Sequence, residues 1–379
     1  MSGGRPSTLP RSGGENALAV FLLAAVAGLF LYRLAHLDGE LIYRHSYGES
    51  QYAMWARAYV EEGFFGGTKQ VDEVSPIVNY VPLSSCLAAL VQRLAGGDLV
   101  LIGRGVSLLF SALTAVTFYR LGLLLFENRL KAATALLVFT AVPVNLYYAR
   151  TFYNDPLHLF FLVAFFHGFC CFVRDHEVPW LRTRIAVALT LLLATKASTL
   201  LLCLPPVFYH FLRERRGAAL ARLRAATPFW LPVLAVGVLL AGGRLLHPSA
   251  YQVESNKLIS AAFLADLPRM LAAAKGELSS EFGLALVLFL PGWVLAFRRR
   301  DSFRHLAFAA LGFAVFYVLL LPGALVHQYY LLPFALPVAV LGTLALFALL
   351  DRVDRGWLRG VALLFVLLFL APSPARLHQ

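Results

Sequence analysis

Two acids in this 379-residue chain stand where a carboxylate can do chemistry. Glu49 lies shortly after the first apolar run, in Arg44-His45-Ser46-Tyr47-Gly48-Glu49-Ser50-Gln51-Tyr52-Ala53. Asp155 lies in a short break between two later runs, in Tyr147-Tyr148-Ala149-Arg150-Thr151-Phe152-Tyr153-Asn154-Asp155-Pro156-Leu157. At the mouth of a membrane bundle a carboxylate is costly unless it is paired or used. Beside a hydroxyl it can take a proton as a general base. The plainer roles are a solvated loop acid for Glu49 and an N-cap ahead of Pro156 for Asp155, and a cap is compatible with catalysis.

Cations accompany these acids. Lys196 stands between two short apolar runs, at the apex of a hairpin, where an ammonium needs an anion or water. A lipid phosphate is one natural partner, and snorkelling to the interface is the plainer account. Arg150 can pair with Asp155 or face a phosphate. His327 and Tyr330, in His327-Gln328-Tyr329-Tyr330, open a late apolar run and complete the candidate phosphate-binding set, with an interfacial aromatic belt as the alternative. His158 and His167 fall inside an apolar run and read as packing histidines, and the four cysteines show no metal-ligand spacing. No Gly-rich phosphate loop, zinc-binding helix motif or nucleophile elbow is present in the sequence. No cofactor or metal is expected.

The elements that must position these residues are membrane helices. Hydrophobic residues make up 59% of the chain and charged residues 14%, against about 25% charged in soluble domains. The net charge of +12 therefore reflects basic cytoplasmic turns and not a nucleic-acid partner. Apolar runs over 17–37, 99–126, 130–148, 156–173, 185–195, 197–212, 228–246, 282–298, 305–321, 329–350 and 358–371 predict an all-α polytopic bundle of about eleven spans. Residues 1–16 read as a disordered cytoplasmic N-terminus, 17–372 as the transmembrane domain, and 373–379 as a short outer tail. Outer loops are expected over 38–97 and 247–281. In the first of these, Tyr52, Trp55, Ala56, Tyr59 and Val60 recur at three- and four-residue steps up to Gly63, which predicts an amphipathic helix on the membrane surface.

Sidedness follows from counting. With the N-terminus inside, the cytoplasmic turns gather 19 of the 33 Lys and Arg but only eight of the 21 Asp and Glu. The clusters Arg182/Arg184 and Arg213/Arg215/Arg216 flank 185–212, so that segment should cross out and back as two short spans. Both candidate acids then face outward.

In this order and sidedness the motifs resemble the GT-C class of membrane glycosyltransferases, most nearly glycosyltransferase family 39, which includes protein O-mannosyltransferases and lipid A aminoarabinose transferases. The resemblance runs from about residue 18 to 340. Glu49, Tyr52 and Ala53 match the family's acidic pair and the Tyr-Ala that follows, Tyr80-Val81-Pro82-Leu83 its Pro-Pro-Leu motif, and Asp155-Pro156-Leu157 its second acid. Thr195-Lys196-Ala197 matches its Thr-Lys-Gly motif, and His327 with Tyr330 its late His and Tyr. Gly48 stands where the family carries its Asp, and no lysine precedes Pro82. His45 and Tyr47 fit a bacterial variant of the first motif.

The resemblance implies transfer of a sugar from a polyprenyl-phosphate carrier to an acceptor hydroxyl on the non-cytoplasmic side, with inversion. In that reading Glu49 is the base and Asp155 its helper. Lys196, Arg150, His327 and Tyr330 hold the donor phosphate, and His45, Tyr47, Tyr52 and Asn154 line the sugar and acceptor cavity. The alternatives are a flippase or transporter of lipid-linked sugars and a non-catalytic relative. The Ala-, Leu- and Arg-rich composition points to a bacterial inner membrane.

Overall fold

The computed structural model describes residues 13–39, 46–63, 81–175, 178–214, 225–246, 261–299, 301–319, 328–352 and 360. Every regular element among them is helical. In chain order these are α1 (Gly13–Ala35), α2 (Ser46–Glu62), α3 (Leu83–Ala95), α4 (Leu99–Phe126), α5 (Arg129–Ala141), α6 (Pro143–Tyr148) and α7 (Asp155–Arg174). Then come α8 (Pro179–Thr195), α9 (Leu200–Tyr209), α10 (Thr227–Leu246), α11 (Ala261–Phe282), α12 (Leu284–Arg298), α13 (Ser302–Leu319) and α14 (Ala335–Leu350). Short turns over Ala197–Thr199 and Gln328–Phe334 precede α9 and α14.

Local chemistry explains the boundaries. α4 starts where Asp98 caps Leu101 N at 2.8 Å and stops at Glu127, whose φ of 54° is left-handed. The run expected over 130–148 is broken at Pro143. Proline lacks an amide donor and holds Val142 extended, at ψ 135°, so α5 ends and α6 begins. The run expected from 185 begins instead at Pro179, the favoured first helical position, so Arg182 and Arg184 lie inside α8. The first helix likewise takes in residues 13–16, expected to be disordered.

Four helices are long and apolar enough to cross a membrane unaided: Gly14–Ala35, Leu99–Phe126, Asp155–Arg174 and Gln328–Leu350. The bent pair around Gly283 adds a fifth, and Ala197–Leu212, Thr227–Leu239 and Ser302–Val318 are shorter apolar helices. The last expected span, 358–371, lies outside the described residues apart from Gly360, as do residues 1–12 and the tail 373–379.

α4 packs along α7, α7 along α8, and α8 along α10, while α9 packs along α13, α1 along α5 and α12 along α14. The path of α8 and α9 can be traced against α7. Lys196 meets Asp155 at the start of α7, and His210, just after α9, packs edge-on at 5.9 Å from Phe169 and 6.0 Å from Phe172 near its end. The chain therefore runs along α7 and returns, the out-and-back path expected for 185–212. α9 alone rises ~15 Å, about half a bilayer core.

The bundle has two chemically different ends. One is marked by ion pairs Arg174–Glu127 at 3.0 Å and Lys131–Asp351 at 3.4 Å, the Arg304–Tyr209 hydrogen bond at 2.8 Å, and Phe126 against Phe303. The other holds Glu49, Asp155 and Lys196. With the basic end in the cytoplasm, an impermeant thiol reagent applied outside should modify a cysteine placed at Glu61 and spare one at Arg182, on a cysteine-free background. Labelling of Arg182→Cys alone would invert the orientation.

Candidate functional site

The site is assembled around the segment 149–155, between α6 and α7. Two glycines admit it. A Cβ at Gly103 on α4 would overlap the Phe152 ring, and one at Gly48 on α2 would overlap the Tyr153 phenol. Phe152 and Tyr153 thus lie in spaces that α4 and α2 leave open. Tyr153 Oη occupies the position into which a longer side chain at 48 would project.

Glu49 lies in the first turn of α2 and not in a loop, where the helix dipole favours an acid. It is 7% exposed. Arg104 Nε donates to Oε1 at 2.8 Å and Arg104 Nη2 to Oε2 at 2.9 Å, a bidentate fork, and Phe152 N donates to Oε1 at 2.9 Å. Arg104 Nη1 also donates to Leu37 O and Gly39 O, both at 2.9 Å. One guanidinium thereby ties the exit of α1, the start of α2 and α4 together. Arg104 was not singled out in the sequence; the one signal that could have found it is a charge inside an apolar run, between Gly103 and Gly105.

Asp155 is 5% exposed, at the first position of α7. Lys196 Nζ donates to its Oδ1 at 3.0 Å, and no other hydrogen-bond donor reaches the carboxylate among the described residues. The ammonium also lies 4.5 Å from the Tyr329 ring centroid and 4.3 Å from that of Tyr330, cation–π contacts that disperse its charge. The pair sits where it does because α7 and α8 are antiparallel neighbours whose ends meet; His158 Nδ1 and Thr195 Oγ1 lie 3.1 Å apart one turn below. Tyr148, Tyr153 and Tyr329 form an aromatic wall, with centroids 5.6–6.2 Å apart. Tyr52 joins it, 5.2 Å from Tyr153.

Asn154 is a brace. Its Oδ1 accepts from Ser84 N at 3.1 Å and its Nδ2 donates to Val81 O at 3.1 Å, while Val81 N donates to Ala194 O at 2.7 Å. The Val81-Pro82-Leu83 corner is thereby fixed to α7 and α8. The apolar face of α2 does not lie open to lipid, as expected of a surface helix. Tyr52, Trp55, Ala56 and Tyr59 are buried, Ser85 Oγ donates to Tyr52 O and Arg93 to Tyr59 O, both at 2.8 Å. Burial holds the Tyr59 phenol well above the usual tyrosine range, with Cys86 beside it.

The structure thus brings Asp155 and Tyr330 onto Lys196 and places Glu49 on Phe152, in the same 149–155 segment as Asp155. Arg150 is not joined to Asp155 by an ion pair. Tyr47 lies in the first turn of α2, and His45 and His327 lie outside the described residues. Tyr153 and Tyr329 were not singled out in the sequence, since tyrosines at an interface are ordinarily a belt. Among the described residues no three His, Cys, Asp or Glu side chains converge as a metal site would require.

No family model matches the sequence, and no curated protein matches it either. Solved structures do match. ArnT from Cupriavidus metallidurans, bound to undecaprenyl phosphate, superposes with a TM-score of 0.62 at 16% identity over 92% of this chain. The fold is GT-C. The Archaeoglobus fulgidus oligosaccharyltransferase, in complex with zinc and sulfate, gives 0.62 at 15% identity over 95% of the chain. AglB from the same organism, with an inhibitory peptide and a dolichol-phosphate, gives 0.59 at 13% identity over 96%. The chain spans 63%, 52% and 56% of those proteins' lengths. A GT-C fold with these apolar helices makes the chain an integral membrane protein.

Proposed function

We propose that this GT-C chain is a membrane glycosyltransferase that moves a sugar from a polyprenyl-phosphate carrier to an acceptor hydroxyl on the non-cytoplasmic side. The observation that carries this reading is the buried Asp155–Lys196 pair, 3.0 Å apart, set against Tyr329 and Tyr330. ArnT and AglB lend support, since their structures hold undecaprenyl phosphate and dolichol-phosphate.

The same geometry favours a division of labour between the two acids that differs from the sequence expectation. Glu49 has both oxygens engaged by Arg104 and one also by Phe152 N–H. Three fixed donors already occupy most of the lone pairs with which this carboxylate could meet an acceptor hydroxyl. Glu49 is therefore assigned to holding the 149–155 segment. Asp155 is assigned as base. Lys196 sits on Asp155 at 3.0 Å, and a donor phosphate would compete for that ammonium and relieve the carboxylate. The acceptor oxygen then forms its bond to the anomeric carbon, the bond from that carbon to the carrier oxygen breaks, the proton passes to Asp155, and the carrier phosphate leaves with its charge offset by Lys196. Inversion at the anomeric carbon follows from this single displacement.

Lys196→Ala is expected to raise the KM for donor by about tenfold or more, because one charge-assisted contact is worth roughly 1.5–3 kcal/mol. Lys196→Arg should restore part of it, keeping the charge but changing the shape. Steady-state kinetics with a polyprenyl-phosphate sugar measures both, and an unchanged KM in Lys196→Ala would remove Lys196 from the site.

A further inference from the structure

The segment expected as the second outer loop carries α11. α11 meets α12 at Gly283, whose φ of 50° suits glycine, and the two helices are bent by 97°. α11 packs on α6, at the end of the bundle that holds Asp155 and Lys196. There it holds both ends of the short turn Gln328–Phe334. Gln328 Nε2 donates to Glu277 Oε2 at 2.8 Å, and Phe282 lies edge-on to Phe334 with centroids 5.5 Å apart. Between these two ties stand Tyr329 and Tyr330, the rings that flank the Lys196 ammonium.

A seven-residue 3₁₀ turn makes poorer hydrogen bonds than an α-helix, so its neighbours must fix its orientation. The lysine needs such fixing too, because its stem is long and flexible. The Glu277 contact is charge-assisted, and such bonds are roughly twice as strong as neutral ones. Among the described residues no ion pair joins Glu277 to Lys196 directly. We propose that Glu277 is a positioning residue: through Gln328 it sets the Tyr329–Tyr330 pair and so the aim of Lys196 between Asp155 and a donor. The role toward the donor rests on the transfer reading above, whereas the placement of Lys196 does not.

Two readouts on the full chain in neutral detergent test this. Acetylation of Lys196 by an amine reagent, followed by mass spectrometry, reports how firmly the ammonium is held and needs no turnover. Glu277→Ala should raise that rate about tenfold, the worth of one hydrogen bond to a charged group. Glu277→Gln, whose amide oxygen still accepts from Gln328, should stay near the wild type. The exchanged pair Glu277→Gln with Gln328→Glu keeps the bond and the net charge and should do the same. Should Glu277→Ala fail to fold, Gln328→Ala carries the same expectation. In steady-state transfer Glu277→Ala should raise the donor KM about threefold to tenfold, and this effect should vanish in a Lys196→Ala background. Unchanged Lys196 reactivity in Glu277→Ala overturns the positioning role whatever the turnover. A KM effect that persists without Lys196 overturns it as well, because Glu277 would then act by another route. A wild type that shows the reactivity pattern but transfers no sugar would uphold the placement of Lys196 and sink the transfer reading.

Discussion

Asp155→Asn is expected to slow sugar transfer by about 10²–10⁴-fold, the usual loss when a general base is removed. Asparagine keeps the size of the side chain and its place at the start of α7 but cannot accept the proton. It also deprives Lys196 of its counter-charge, 3.0 Å away in a setting where the two side chains are 15% and 7% exposed. The thermal midpoint must therefore be measured beside turnover. Asp155→Glu, which retains basicity with an altered reach, should recover part of the rate. An Asp155→Asn protein that is stable and fully active would take the proton transfer away from Asp155.

Breaking the Arg104–Glu49 pair should cost stability before it touches chemistry. The two side chains are 11% and 10% exposed, and removing one partner from such a pair typically costs about 3–5 kcal/mol, because the other charge is left buried. Glu49→Gln leaves the Arg104 guanidinium without its carboxylate, and Arg104→Met leaves the Glu49 carboxylate without its fork. Each single variant should show a large drop in thermal midpoint. The double variant should recover much of it, since both charges are gone. Were Glu49 the base instead, the double variant would regain its midpoint yet stay without turnover, whereas a purely structural Glu49 predicts that turnover returns with stability. A double-mutant cycle read by thermal midpoint and by turnover separates the two roles.

The sequence disclosed the parts of this arrangement that depend on chain path. Apolar runs and basic turns fix which helix ends share a side, and α7 and α8 follow each other across one turn. That path put Asp155 and Lys196 at one end of the bundle, but their ion pair was not read from it: Arg150 was the candidate partner of Asp155, and a lipid phosphate that of Lys196. The bounds of α4 were legible because Asp98 is a strong cap and the run is unbroken. What stayed hidden depends on distant packing. Arg104 lies 55 residues from Glu49, and nothing local announces their fork. Asn154 reads as a cavity residue by its neighbours, yet both ends of its amide bind the backbone around α3. The burial of the α2 face needed α3 to be placed, since an aromatic stripe serves lipid and protein equally well. Gly48 read as a missing acid; in the fold it is also the opening that admits Tyr153.

Sugar transfer by this chain is proposed to run through Asp155. The most direct measurement reconstitutes the wild type and Asp155→Asn, matched for thermal midpoint, with a radiolabelled polyprenyl-phosphate sugar and a membrane extract supplying acceptors. Release of carrier phosphate with label appearing in acceptor is followed beside movement of the intact donor between leaflets. The account predicts label transfer by the wild type and a loss of about 10²–10⁴-fold in Asp155→Asn. Leaflet movement of intact donor without release of carrier phosphate, equal in both proteins, would contradict it.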